Sequence, residues 1–91
     1  MIFEWDERKR QTNLRRHGLD FNDVEFVFEN ETSALVDDRF DYGETRWVSF
    51  GMLNDLVVAV VYTQSDETMR VISFRRATKN EEKEYYKSIR D

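Results

Sequence analysis

The sequence contains no cysteine and only one histidine. Without cysteine there are no disulfides and no thiolate metal ligands, and one histidine leaves too few ligands for a structural zinc site. We therefore expect neither a metal nor a cofactor. The fold must rest on an apolar core, which a chain of 91 residues is long enough to build.

Proline is also absent, so no stretch of the sequence resembles a proline-rich linker. No apolar run approaches the roughly 20 residues that cross a membrane, and the first ten residues, MIFEWDERKR, do not resemble a signal peptide. We expect one domain over residues 1–91, soluble and cytoplasmic, with no membrane partner.

Positive charge is scarce in the middle of the chain. The net charge is −5, but the segment from Phe21 to Thr45 carries eight acidic residues and one basic residue, for −7. One interpretation is an acidic surface that only contacts water. The other is a segment that binds a basic protein partner, with Asp37, Asp38 and Asp41 as candidate contacts.

The first third of the chain predicts a short strand, IFEW, followed by two helices. Asp6 is a suitable N-cap and Gly18 a suitable stop for the first helix, whose only clear apolar residue is Leu14. Such a polar helix must lie at the surface. A second, amphipathic helix is predicted over residues 20–30. Its apolar positions are Phe21, Val24, Val27 and Phe28.

The rest of the chain predicts a sheet and a last helix. Residues 32–38 favour an edge strand, and three longer strand-like runs cover residues 45–52, 56–63 and 68–76. The middle run is apolar throughout from Leu56 to Tyr62, as in a central strand buried on both faces. Thr78 and Glu81 form a capping box. The predicted fold is α+β, an antiparallel sheet of three to five strands with two N-terminal helices and one C-terminal helix.

The last strand-like run ends in two adjacent arginines. Strict alternation predicts that the strand carries on one face Val71, Ser73 and Arg75, and on the other Arg70, Ile72, Phe74 and Arg76. If the face with Phe74 packs against helices, Arg75 is left on the opposite face, where it can bind phosphate. Arg70 can serve the same site only in a strongly twisted sheet. The alternative is that these arginines pair with the acidic segment.

Four motifs together resemble the BrnT family of toxins from type II toxin–antitoxin systems. They are Asn13-x-x-x-His17-Gly18, Asp41-Tyr42-Gly43-Glu44-x-Arg46, Ile72-Ser73-x-Arg75-x-Ala77 and Glu81-x-x-x-Tyr85. The resemblance implies a RelE-like ribonuclease fold and RNA cleavage that stops translation. It also implies a BrnA-like antitoxin with a ribbon-helix-helix module, through which the complex binds operator DNA.

RNA cleavage without a metal requires a base for the 2′-hydroxyl, a cation for the phosphate and a proton for the leaving oxygen. Arginine suits the phosphate because its planar fork reaches two oxygens at once. The candidate catalytic residues are Arg75, Tyr85, Arg70, His17 and Glu81. Tyr85 qualifies as a proton donor if nearby arginines lower its pKa. His17 can also have a capping or packing role beside Gly18, and the capping box alone explains Glu81.

Further arginines are candidates for RNA binding. They are Arg76, Arg8, Arg15 and Arg46. Tyr42 and Trp47 can stack on bases, although core packing also explains Trp47. Two functions remain open: a ribonuclease toxin, or a non-catalytic binding module, a decayed toxin, that holds a basic partner through its acidic segment.

Overall fold

Five strands form one mixed sheet in the computed structural model, which describes residues 1–39, 41 and 43–90. The strands are β1 (Ile2–Glu4), β2 (Ser33–Asp37), β3 (Arg46–Leu53), β4 (Leu56–Ser65) and β5 (Thr68–Arg76). They are arranged in the order β1-β5-β4-β3-β2. The predicted meander, with the apolar β4 between β3 and β5, is confirmed.

One edge of the sheet departs from the prediction. The neighbouring pairs among β2, β3, β4 and β5 are antiparallel, but β1 runs parallel to β5, so the expectation of a wholly antiparallel sheet is wrong. Short turns impose antiparallel pairing on consecutive strands. No such turn joins β1 to β5, because most of the chain lies between them, and their relative direction is therefore not set locally.

The helices flank the sheet. They are α1 (Glu7–His17), a 3-10 turn (Phe21–Asp23) that leads into the short α2 (Val24–Val27), and α3 (Lys79–Ile89). The predicted second helix over residues 20–30 is thus confirmed only in part. Its apolar positions are nevertheless buried at Phe21, Val24 and Val27. No helix among the described residues is long and apolar enough to cross a membrane.

One face of the sheet, here called the packed face, holds the larger part of the core. The strand residues on it include Val58, Val60, Tyr62, Val71 and Phe74, and they pack against Phe21, Val24 and Val27. Gly51 lies where α2 comes closest to the sheet. A Cβ atom there would lie 2.7 Å from Cγ1 of Val27, so only glycine permits this approach.

Beyond the three residues of β5 that pair with β1, helix α1 covers the outer edge of β5 through one buried side chain. The amide of Asn13 donates to the carbonyl oxygen of Phe74 at 2.7 Å and to that of Leu19 at 3.1 Å, and its oxygen accepts from the N–H of Phe74 at 3.1 Å. The side chain therefore satisfies backbone groups that a further strand would otherwise bind. This contact explains how so polar a helix is fixed to the sheet.

The opposite face, here called the open face, is covered by α3 at one end only. Tyr85 of α3 packs there with Phe50, Val57 and Ala59. Helix α3 also contacts β2 and β3 at this end, and farther along the strands no helix lies over this face among the described residues. The fold therefore leaves a cleft beside α3, with the strands as its floor.

A bulge in β5 decides which arginines reach the open face. Val61 pairs with Ser73 but Tyr62 pairs with Val71, so Ile72 is an extra residue in the strand. Val71 consequently joins the packed face, and Arg70 shares the open face with Arg75. The predicted assignment of Val71 and Arg70 is wrong because strict alternation does not survive a bulge.

Candidate active site

The cleft on the open face has a volume of about 500 Å³. Its apolar floor is formed by Leu35, Val48, Phe50 and Val61. Its walls and rim carry Asp37, Asp38 and Arg39 on one side and Arg75, Glu81, Glu84 and Tyr85 on the other. Predicted catalytic and partner-binding residues therefore line the same space.

Arg75 is held at the wall of the cleft by the first turn of α3. Its Nη1 donates to Oε1 of Glu81 at 2.8 Å and its Nη2 donates to Oε2 at 3.0 Å, while Nη1 also donates to the carbonyl oxygen of Arg76 at 3.2 Å. Arginine has a second fork, formed by Nε and the other hydrogen of Nη2. Among the described residues, none accepts a hydrogen bond from that second fork. The ion pair with Glu81 thus orients the guanidinium and leaves the donors of the second fork available to a ligand.

Glu81 makes two sets of structural hydrogen bonds. It completes the predicted capping box, because Oε1 accepts from the N–H of Thr78 at 2.8 Å and the hydroxyl of Thr78 accepts from the N–H of Glu81 at 3.2 Å. It also binds Arg75. Its pKa is lowered, mainly by the hydrogen bond from Arg75 and with a contribution from the N–H of Thr78, despite partial burial. The carboxylate therefore stays ionised at neutral pH.

The side chain of Tyr85 lies between α3, to which it belongs, and the sheet, and only 2% of the residue's surface is exposed. Its hydroxyl donates to the carbonyl oxygen of Glu31 at 2.9 Å, which links α3 to the loop before β2. Burial raises its pKa, with a smaller contribution from Glu31. The condition under which Tyr85 was predicted to be a ready proton donor, a pKa lowered by arginines, is therefore not met.

Comparison with known protein families shows to which family this chain belongs. The family model described as the ribonuclease toxin, BrnT, of type II toxin–antitoxin systems matches residues 5–81. The chain belongs to this family. No curated protein matches the sequence. The matched range includes Arg75 and ends at Glu81, whereas Tyr85 lies beyond it.

Two further arginines of this BrnT-family chain lie on the open face. Arg70 is half-exposed and its Nη1 lies 3.8 Å from Oε1 of Glu4, and Arg46 has its Nε 4.0 Å from Oε1 of Glu44. Arg70 pairs with Thr63 and Arg75 with Ala59, so their positions are four residues apart along β4. At roughly 3.3 Å per residue this separation is about 13 Å. The alternative prediction, that the arginines of β5 pair with the acidic segment, is wrong for Arg70 and Arg75, because their carboxylate partners, Glu4 and Glu81, lie outside residues 21–45.

The remaining basic candidates lie elsewhere. His17, Arg8 and Arg15 are exposed on α1, and none of them lines the cleft. Arg76 is exposed at the end of β5, on the packed side. The structure therefore brings Arg75, Glu81 and Tyr85 together, places Arg70 and Arg46 on the same sheet face, and leaves the α1 residues on another surface.

The three acidic candidates have different environments. Asp37 is buried, and its carboxylate accepts from Arg39, with Nε at 2.8 Å and Nη2 at 3.0 Å. Asp38 is exposed at the rim of the cleft. Asp41 is exposed and accepts from the N–H of Gly43 at 3.0 Å, as turn chemistry predicts. Only Asp38 is therefore exposed in the cleft itself.

Two aromatic residues were candidates for stacking on bases. Trp47 packs against the core of the packed face, which supports its core interpretation, and Tyr42 lies outside the described residues. Among the residues that the structure describes, no group of three or more His, Asp or Glu side chains is arranged to hold a metal ion.

Sequence reasoning missed the role of Asn13. The residue was noticed only as part of a family motif, and its amide alone is a weak signal, because Gln11 in the same helix is also an amide and is exposed. Its burial shows that the motif at Asn13 serves the fold rather than the cleft.

Proposed function

We propose that this chain is an endoribonuclease that cleaves RNA in the open-face cleft without a metal, with Arg75 as the phosphate ligand. Family membership supports the reaction class. The observation that supports this site is the hydrogen bonding of Arg75. Glu81 accepts from one fork of the guanidinium, and the second fork can donate to two phosphate oxygens.

The proposed reaction begins with attack of a ribose 2′-oxygen on the adjacent phosphorus. The new 2′-O–P bond replaces the P–O5′ bond, and the products carry a 2′,3′-cyclic phosphate and a 5′-hydroxyl. Arg75 stabilises the charge that develops on the phosphate oxygens, an effect that typically contributes a few kcal/mol to such transition states.

Glu81 is the base that we assign to this reaction. Its carboxylate lies beside the phosphate-binding fork and is ionised at neutral pH because its pKa is lowered. A lowered pKa also makes it a weak base, so we expect modest turnover. The leaving 5′-oxygen takes its proton from water, which reaches the open cleft. We assign Tyr85 a role in positioning α3, since its hydroxyl already donates a hydrogen bond to the carbonyl oxygen of Glu31.

Arg70 and Arg46 extend the proposed RNA surface along the open face. Arg76, at the exposed end of β5, can contact the backbone that leaves the cleft. Arg8 and Arg15 would bind RNA only where it continues over α1, and His17 would act only on RNA held there. We therefore expect smaller effects from these α1 residues than from Arg75.

The family assignment supports the cellular role. We propose that the α+β fold is RelE-like, that cleavage in the cytoplasm stops translation, and that a BrnA-like ribbon-helix-helix antitoxin neutralises the chain. Operator DNA would be bound through that antitoxin rather than by this acidic chain.

The decisive experiment measures cleavage of a short RNA by the purified chain in the presence of a chelator. Arg75→Ala should slow cleavage at least about tenfold, which corresponds to ~1.4 kcal/mol, and Arg75→Lys should also be slow because a point charge does not replace the fork. A substrate with one 2′-deoxy sugar at the cut site should resist. Lys87→Ala, a change at an exposed cation of α3, is the control and should keep the parent rate.

Cleavage by folded Arg75→Ala protein at the parent rate would contradict the assignment. In that case the pair of Arg75 with Glu81 would be structural only.

A second function, the non-catalytic binding module, is favoured by the charges of the cleft. Its lining carries four acidic residues, Asp37, Asp38, Glu81 and Glu84, and two arginines, Arg39 and Arg75. Absence of cleavage by the parent chain, together with tight binding of the antitoxin, would support this function instead.

A further inference from the structure

The outer edge of β2 is open. β2 is the last strand of the sheet and pairs only with β3 among the described strands. No backbone hydrogen bond from the described residues reaches its other side. A strand edge in this state presents N–H and C=O groups that can pair with another extended chain.

The side chains of β2 also favour a partner. Leu35 is 59% exposed and Val36 is 51% exposed, and both border the cleft. Edge strands that must stay unpaired usually carry lysine, proline or a bulge. β2 has the sequence SALVD, which contains no lysine or proline; its one charged residue, Asp37, lies at its end, and its register with β3 is regular.

Charge complementarity identifies the chemistry of that partner. Asp38 follows β2 at one rim of the cleft, and Glu84 of α3 lies on the opposite wall, and both are exposed. Between them lies the apolar floor that includes Val48 and Val61. A second copy of this chain would bring another strongly acidic segment to the same place, whereas a basic and apolar segment would be attracted to it.

We propose that the antitoxin contributes an extended segment that pairs with the outer edge of β2 as a sixth strand, and that the antitoxin chain next to this strand turns over the open face into the cleft. Its apolar side chains contact Leu35 and the floor, and its lysine or arginine side chains lie between Asp38 and Glu84. The proposal rests on the proposed function, because it takes the partner to be the antitoxin. It also explains neutralisation, since a segment in this cleft covers Arg75 and excludes RNA.

The first test is hydrogen exchange on the chain alone and in complex with a co-expressed BrnA-type antitoxin. Amides of residues 33–37 should gain protection at alternate positions, because only every second N–H of an edge strand points outward. Protection confined to α1, with β2 unchanged, would overturn the proposal. Protection of β2 in the free chain that grows with concentration would also overturn it, because the occupant would then be a second copy.

The second test uses matched charge reversals. Asp38→Lys combined with Glu84→Lys should weaken antitoxin binding at least about tenfold in calorimetry. The control, Glu25→Lys combined with Glu29→Lys, makes the same charge change on the α2 side of the sheet and should alter affinity less than about twofold. Equal effects of the two pairs would show that only net charge matters and would overturn the assignment to the cleft.

These outcomes are separable from those for the proposed function. If Arg75→Ala protein cleaves RNA at the parent rate while β2 is still protected by the antitoxin, the catalytic assignment fails and the strand pairing stands. If Arg75→Ala abolishes cleavage while β2 stays unprotected, the reverse holds.

Discussion

The two faces of the sheet use the same strands for different purposes. On the packed face, the 3-10 turn and α2 close over the strands, and the buried hydroxyls of Ser49 and Tyr62 are satisfied by each other at 2.7 Å. On the open face, α3 covers one end, and arginines and carboxylates surround what remains. The contrast shows that adjacent residues of β5 lie in different environments, with Phe74 in the core and Arg75, the proposed phosphate ligand, at the cleft.

Phe74 and Arg75 allow the sharpest test of this comparison. Phe74 is fully buried on the packed face, whereas the Arg75 side chain is 29% exposed on the open face. Phe74→Ala should lower the free energy of unfolding by about 3–5 kcal/mol, and Arg75→Ala by less than about 1 kcal/mol. Urea denaturation measures both. Similar losses would show that the two faces are not distinct.

Asn13 tests whether a polar contact stabilises the packed side. Asn13→Ala leaves the N–H and carbonyl of Phe74 without their partner, and should destabilise the chain by about 2–3 kcal/mol. Leu14→Ala, at a partly exposed position of the same helix, should cost less than about 1 kcal/mol. A larger effect for Leu14 than for Asn13 in thermal unfolding would contradict the role given to the amide.

Substitution of Tyr85 tests whether its hydroxyl only positions α3 or takes part in the proposed cleavage reaction. Tyr85→Phe keeps the buried ring and removes the hydrogen bond to Glu31, so it should cost about 1 kcal/mol of stability. The cleavage rate should stay within about twofold of the parent rate. A tenfold fall in kcat, with RNA affinity and folding unchanged, would instead assign the hydroxyl to the reaction.

Glu81 provides a prediction for pH dependence with a small magnitude. Because its folded-state pKa is lowered, chiefly by Arg75, the ionised carboxylate stabilises the folded chain above the ordinary glutamate pKa. This contribution is lost as the pH falls through the lowered value. The stability difference between the parent and Glu81→Gln should be below about 1 kcal/mol at neutral pH, and should shrink in acid. A difference independent of pH would contradict the pairing.

The sequence predicted those parts of the fold that local patterns determine. Apolar residues throughout Leu56 to Tyr62 indicated the central strand, and Asp6, Gly18 and the Thr78–Glu81 box marked helix ends that the structure confirms. Each of these signals depends on neighbours in the chain. These local signals can therefore be recognised in the sequence without knowledge of tertiary contacts.

The site was predicted less completely, because its geometry depends on tertiary contacts. Glu81 was recognised as a cap, but its pairing with Arg75 requires that α3 return over the sheet. Tyr85 was named as a candidate proton donor, but its burial, which raises its pKa, depends on Phe50 and Val57 from other strands. No residue type near Ile72 marks the bulge, so the side on which Arg70 lies was not predictable from alternation.

The extra residue at Ile72 is the one position of β5 without a partner of its own in β4. Deleting it would leave Val71 next to Ser73, so the two strands would pair without a bulge and Arg70 would keep its place on the open face. A one-residue deletion here should therefore be less damaging than deletion of a paired residue in the middle of β4, which would move part of that strand to the wrong face. The length of β5 can thus change by one residue at this point without altering which arginines the open face offers to a ligand.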